Sequence, residues 1–206
     1  MEGAFRVDSK LFRAVDKLLA LVKLNLIWMC FCIPIFTIGA ANCALHEVAS
    51  QIEGGNEGYI FKSFVSTFKK KFRHSTLIFL PVLIIGAGIY LDYHFWSQMT
   101  GTFAGVMKGM VIALAVVYLF LSVYLYPLMA RMDTGLKKTV RNAALLAFKY
   151  LPQTLYLVLW LGILWIVGKI WAMGLFVTIM LGASTVAVLH AKVLKKIFLK
   201  EGIIEE

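Results

Sequence analysis

The chain has 206 residues, of which 61% are hydrophobic and 16% charged, with a net charge of +10; soluble domains average roughly 45–50% apolar and about 25% charged residues. A water-soluble core has no room for that much apolar surface, and the ionised side chains are clustered, as they are when hydrocarbon excludes them. The basic excess lies in short stretches between apolar runs, which points to a lipid surface and away from nucleic acid as a partner.

In chain order, Leu11, Phe12, Val15, Leu18, Leu19 and Val22 recur at helical spacing, with Lys10, Arg13 and Lys17 between them. This pattern predicts an amphipathic interfacial helix over about 8–22, with Asp8 or Ser9 as its cap.

The first uncharged run follows, Leu24 to His46. A helix rises 1.5 Å per residue, so about 20 residues cross a hydrocarbon core of roughly 30 Å. The run is long enough to cross, but Pro34 and Gly39 interrupt it. It therefore crosses whole, enters and returns through a break near Pro34, or is a signal peptide cleaved near Gly39, Ala40 and Ala41. Asn25, Thr37 and Asn42 are the polar groups expected at depth, where they either bond across helices or line a pathway. Cys30, Cys32 and Cys43 have neither zinc-ligand spacing nor a disulfide pattern.

Next, Gly54, Gly55, Asn56 and Gly58 form a turn, and Ile60, Phe61, Phe64, Val65, Phe68 and Phe72 an apolar stripe. Lys62, Lys69, Lys70, Lys71 and Arg73 take the other face, which predicts a surface helix lying flat over about 59–73. A span over about 74–91 follows. The connection from Asp92 to Lys108 holds a single lysine. Gly101, Gly105 and Gly109 form a four-residue glycine ladder that lets another helix approach closely, and a third span covers about 107–130.

The loop from Arg131 to Lys149 repeats the earlier plan. Asp133, Thr134 and Gly135 form a turn, and Leu136, Val140, Ala144 and Phe148 form a stripe beside Lys137, Lys138 and Arg141, predicting a second surface helix over about 135–149. Pro152 follows this helix as Pro81 follows the first, a weak internal symmetry of surface helix plus hairpin. Spans over about 150–168 and 170–191 and a tail with Lys192, Lys195, Lys196 and Lys200 complete the chain. Tyr90, Tyr93, Trp96, Trp160, Trp165 and Trp171 mostly fall near outer ends, as an aromatic belt does.

The expected fold is thus all-α, a single polytopic membrane bundle of about five transmembrane helices with amphipathic interfacial helices. Basic loops favour the cytoplasmic side, so the C-terminus is expected inside a bacterial cell membrane. The first run strains this arrangement: five crossings would put the N-terminus outside, although Arg6, Lys10, Arg13, Lys17 and Lys23 favour the inside. No catalytic set is legible. His46 with Glu47 begins like a zinc-protease helix, but the second histidine is missing, and there is no nucleophile elbow or Walker loop. The expectation is no enzyme activity, no cofactor and no metal site.

The stretch from Leu21 to Phe72, with Asn25, Trp28, Pro34, Thr37, Gly39, Ala40, Ala41, Ala44, Leu45, Gly58, Tyr59, Phe64 and Phe68, resembles the YesL-like family of bacterial membrane proteins, as does the stretch from Tyr126 to Pro152. The family has no known biochemical function. What the resemblance implies is association with carbohydrate uptake, because members are commonly encoded beside sugar importers of the ATP-binding-cassette (ABC) class; it implies no catalytic or ligand residue. Two readings follow. One is an accessory or regulatory subunit that contacts the permease subunits of such an importer through Lys62, Lys69, Lys70, Lys71, Arg73, Arg131, Asp133, Lys137, Lys138 and Arg141, with lipid as the other partner. The alternative is a permease-like component with its own substrate pathway.

Overall fold

A computed structural model describes residues 2–56, 59–132, 135–170 and 178–202 of the protein. Among them the architecture is all-helical: α1 (Glu2–Cys32), α2 (Ile38–Glu53), α3 (Ile60–Ser97), α4 (Thr102–Arg131), α5 (Leu136–Lys149), α6 (Leu151–Ile170) and α7 (Ala183–Lys200). A 3-10 turn at Ile35–Thr37 joins α1 to α2, and a π-helical turn at Thr178–Gly182 leads into α7.

The first uncharged run is not one helix. Proline disfavours helical geometry in the residue before it and has no amide to donate, so α1 stops at Cys32 and Pro34 is extended (φ −78°, ψ 123°). The buried Thr37 hydroxyl then bonds the carbonyls of Phe31 and Pro34, closing the turn. The α2 helix folds back against the end of α1, with the Trp28 indole donating to Asn42 Oδ1 at 2.9 Å. Its first turn meets α3 at Gly39, where a Cβ would come within 2.8 Å of the Ser75 carbonyl and 2.6 Å of Phe79 Cβ. Ser75 and Phe79 lie near the start of the uncharged part of α3. The first run is thus two helices joined by a turn at Pro34 beside α3, not one continuous helix.

The 38-residue α3 joins the predicted surface helix of 59–73 and the span of 74–91 into one rod, about 57 Å long at 1.5 Å per residue. Much of the aromatic stripe is covered by protein, although Phe61 is exposed. Phe31 sits 5.3 Å from Phe64 and 4.8 Å from Phe68, ring centre to ring centre, and Phe36 sits 6.5 Å from Phe72. A helix lying flat on lipid is therefore replaced by one whose apolar face grips the α1–α2 hairpin. Pro81 lies within α3 without ending it, whereas α5 and α6 part at Tyr150 (φ −114°, ψ 46°), with Pro152 in the first turn of α6 where its missing amide is harmless. That difference limits the internal symmetry to the pattern of the sequence.

Helix α4 returns along α3, and the Tyr118 hydroxyl donates to the Val82 carbonyl at 3.2 Å. The close approach is at Gly86, where a Cβ would lie 2.8 Å from that hydroxyl. The predicted ladder does no such packing within the chain. Gly101 starts α4 at φ +118°, a region that favours glycine, and Gly105 and Gly109 face open space. Helix α5 occupies the predicted place, but its buried face is Thr139, Ala143, Leu146 and Ala147; Val140 and Phe148 are exposed. Apolar residues on two faces of α5 made the stripe ambiguous, and contact with α4 selected between them.

Among the described residues three helices, α3, α4 and α6, are long and apolar enough to cross a membrane. Between 12% and 17% of their most apolar windows is buried inside the protein. The remaining apolar surface needs a lipid surrounding, since backbone groups there are already satisfied by the helices themselves. Of the fifth predicted span, Ile170 ends α6, 171–177 lies outside the described residues, as does Trp171, and the remainder forms the π-helical turn and the start of α7. Tyr90 and Tyr93 are exposed near the far end of α3, where Trp96 packs edge-on against Phe95 and Phe103.

The end of α7 is tied back by Glu201, whose carboxylate accepts from Lys149 Nζ and the Tyr150 hydroxyl, both at 2.6 Å. The Lys149 ammonium, and then the Tyr150 hydroxyl, hold the Glu201 carboxyl below the usual carboxylate range. A depressed folded-state value means that this contribution is present above the ordinary carboxylate range and lost as pH falls through the folded value. Amide-exchange protection at the end of α7 should therefore be lost as pH falls below the ordinary carboxylate range, and Glu201→Gln should remove that pH step. For the hairpin contact, Gly39→Ala should lower unfolding stability in detergent by about 1–3 kcal/mol through overpacking. Gly105→Ala, on an open helix face, should stay within about 0.5 kcal/mol of wild type in the same thermal melt.

Candidate functional site

Helices α1, α2, α4, α6 and α7 surround a cavity of about 300 Å³. Six of its lining side chains are polar or carry a polar edge: Trp28, Asn42, His46, Ser122, Tyr126 and His190; the rest are aliphatic. None of the lining residues is Asp, Glu, Lys or Arg. The imidazoles of His46 and His190 stack with centres 6.2 Å apart and planes 14° from parallel. A ring nitrogen of His190 lies 3.2 Å from the Leu157 carbonyl, which fixes the ring against α6. Asn42 accepts the Trp28 proton and also bonds the Tyr126 hydroxyl, so one amide links α1, α2 and α4. Leu119 of α4 is 44% exposed and Leu161 of α6 40%, and both line the cavity, so it opens sideways between these helices.

His46 also borders a much smaller cleft of about 20 Å³ with Ser50, Arg131 and Lys195. There the Arg131 guanidinium donates to the Ser50 hydroxyl and lies 3.6 Å from the Glu47 carboxylate, joining the ends of α2 and α4. His46 thus lines both the uncharged polar chamber and this charged cleft.

Of the polar residues expected at depth, only Asn42 reaches the cavity. Asn25 is buried, and its Oδ1 accepts the Ser184 amide at 3.1 Å, a cap supplied from α1 to the start of α7 where the π-helical turn has shifted the hydrogen-bond ladder. Thr37 closes its own turn, and neither Pro34 nor Gly39 lines the cavity. Among the expected contact residues, Lys62, Lys69, Lys70, Arg73, Lys137, Lys138 and Arg141 are exposed. Lys71 is 4% exposed and so cannot belong to a docking surface; it lies one helical position round from its neighbours, on the face that meets α2, and acts electrostatically on Cys43. Arg131 is engaged with α2. Asp133 lies outside the described residues. Among the described residues no group of three or more His, Cys, Asp or Glu side chains is arranged to hold a metal ion.

The histidine pair was not legible in the sequence, where its members lie 144 positions apart. The available signal was that each is an ionisable group at the edge of an uncharged run, a position kept at a cost. Tyr124 and Thr154, whose hydroxyls meet at 3.0 Å between α4 and α6, were hidden for the same reason.

Residues 21–93, which hold the hairpin and most of α3, match a family model described as "Protein of unknown function, DUF624". The chain is also similar to "Uncharacterized protein YesL" of Bacillus subtilis (strain 168), 24% identical over 139 residues covering 66% of this chain and 65% of that protein. These likenesses support a YesL-like family for the chain. A second relative from the same organism, "Uncharacterized protein YteU", is 27% identical over 159 residues, covering 71% of this chain and 68% of the relative. The match to the first relative thus spans just under two thirds of its length. No solved structure matches the chain. The family match falls on the segment that turns at Pro34 and supplies Trp28, Asn42 and His46 to the cavity.

Replacing Asn25 with Leu should strand the buried Ser184 amide and cost about 1–3 kcal/mol, read as a lowered unfolding midpoint in detergent with helix content retained below it.

Proposed function

We propose that this protein is a non-enzymatic accessory or regulatory subunit of the bacterial cell membrane that docks on the permease subunits of a carbohydrate ABC importer. The observation behind this reading is the pair of basic helical faces. Lys62, Lys69, Lys70 and Arg73 on α3, and Lys137, Lys138 and Arg141 on α5, are exposed, while another face of each helix packs inside the protein. Such faces suit anionic lipid, or an acidic cytosolic surface of a partner, and suppress wrong partners by charge. The basic loops and tail support a cytoplasmic C-terminus. The turned-back first run supports the same side for the basic N-terminal helix, relieving the strain that five crossings impose. The sugar connection rests on the family resemblance.

Tagged protein extracted in mild detergent should copurify with an importer permease. Reversing Lys69, Lys70, Lys137, Lys138 and Arg141 to Glu should reduce recovery by about tenfold or more, the equivalent of at least 1.4 kcal/mol of binding. Recovery of the intact importer without this chain would reject the reading.

The chamber favours a second reading, a permease-like component with its own pathway, because Asn42 and the histidine pair line a space inside the bundle. Flux into liposomes, with or without a partner ATPase, that disappears on Asn42→Leu would select it. Absence of flux in both conditions would select the docking role.

A further inference from the structure

We propose that the cavity between α2, α4, α6 and α7 is a binding site for an uncharged amphiphile, a hydroxyl-bearing headgroup on an aliphatic chain. The headgroup end is defined by the Asn42 amide, the His46 and His190 imidazoles and the Ser122 and Tyr126 hydroxyls, all contributed to one chamber by three helices. Each can donate or accept a hydrogen bond without carrying a fixed charge. No carboxylate, ammonium or guanidinium lines the space, so an ionised headgroup would be buried without a counter-charge, which is strongly unfavourable. Asn42, Ser122, Tyr126 and His190 each have a partner within the protein, and a wholly apolar occupant would leave the bonding capacity they keep, with that of His46, facing hydrocarbon. Hydroxyls satisfy both conditions.

The tail follows from the mouth. Leu119 and Leu161 are exposed where α4 and α6 open the cavity sideways, and both helices have the length and composition of membrane spans. An occupant therefore enters from lipid with its chain trailing between them. A volume of about 300 Å³ lies at the lower end of small-ligand sites and takes a headgroup with its first few carbons. The Trp28 indole closes one side, its proton already committed to Asn42. Two sources offer this chemistry, the glycerol of a neutral glycerolipid and the sugar of a neutral glycolipid.

The test is native mass spectrometry of the full chain in an amine-oxide detergent, which has no hydroxyl. The probes are 1-monooleoylglycerol, octyl glucoside, dimyristoylphosphatidylcholine and methyl oleate. One or both hydroxylated probes should form a one-to-one adduct about tenfold or more stronger than the phosphatidylcholine and the ester, and the stronger of the two identifies the headgroup. Asn42→Leu should remove that preference, and Leu119→Trp, at an exposed position on the mouth, should block the adduct while leaving the melting profile unchanged. The second variant carries the test should the first fail to fold. Equal adducts with methyl oleate, no adduct with either hydroxylated probe, or adducts indifferent to Leu119→Trp would overturn the proposal. The importer reading is untouched by any of these outcomes, and failed copurification leaves this site standing.

Discussion

At Ile33 the helix cannot continue, because the Pro34 ring crowds the residue before it and offers no amide, and hydrocarbon or protein interior leaves no water to make up the loss. Thr37 resolves the problem by bonding two of the carbonyls freed at the turn, those of Phe31 and Pro34. Because the turn is closed internally, α2 can run back beside α1 and press Gly39 against Ser75 and Phe79 of α3. That contact orients the long α3 rod, whose phenylalanines then cover the hairpin. The consequences reach the chamber as well, since Trp28 lies on one arm of the hairpin and Asn42 and His46 on the other.

Two kinds of polar group are held inside this bundle, and they do different work. Asn25, Thr37, Tyr124 and Thr154 each meet a specific backbone or hydroxyl partner and lock helices together. Buried groups satisfied in this way rigidify a fold and specify its register. Asn42, Ser122, Tyr126 and His190 have partners too, but with His46 they also surround a space. In a membrane protein, where groups of this type are costly and rarely retained without use, the second set marks the place to look for a ligand.

None of the exposed basic residues lines the chamber. They lie on faces of α3 and α5 left over after packing, and only the small cleft at Arg131 and Lys195 brings cationic groups close to His46.

Composition and charge spacing were enough to establish an all-helical membrane bundle, because hydrocarbon penalises every ionised side chain regardless of what it packs against. The place of α5 and the break at Pro34 were legible for equally local reasons of periodicity and proline chemistry. Which face of a helix turns inward was not. Ile60, Phe64 and Phe68 look the same in sequence whether lipid or Phe31 covers them, the apolar residues of α5 allow two stripes, and Lys71 cannot be told from Lys70 by type. Nor could a spacing rule join His46 to His190 or Asn25 to Ser184. Glycine shows where close approach is allowed, but only a second helix makes it happen, at Gly39 and Gly86 and not at Gly105 or Gly109. Solvent preference is a property of each residue and its near neighbours, whereas pairing across the bundle depends on helix positions that no local segment contains.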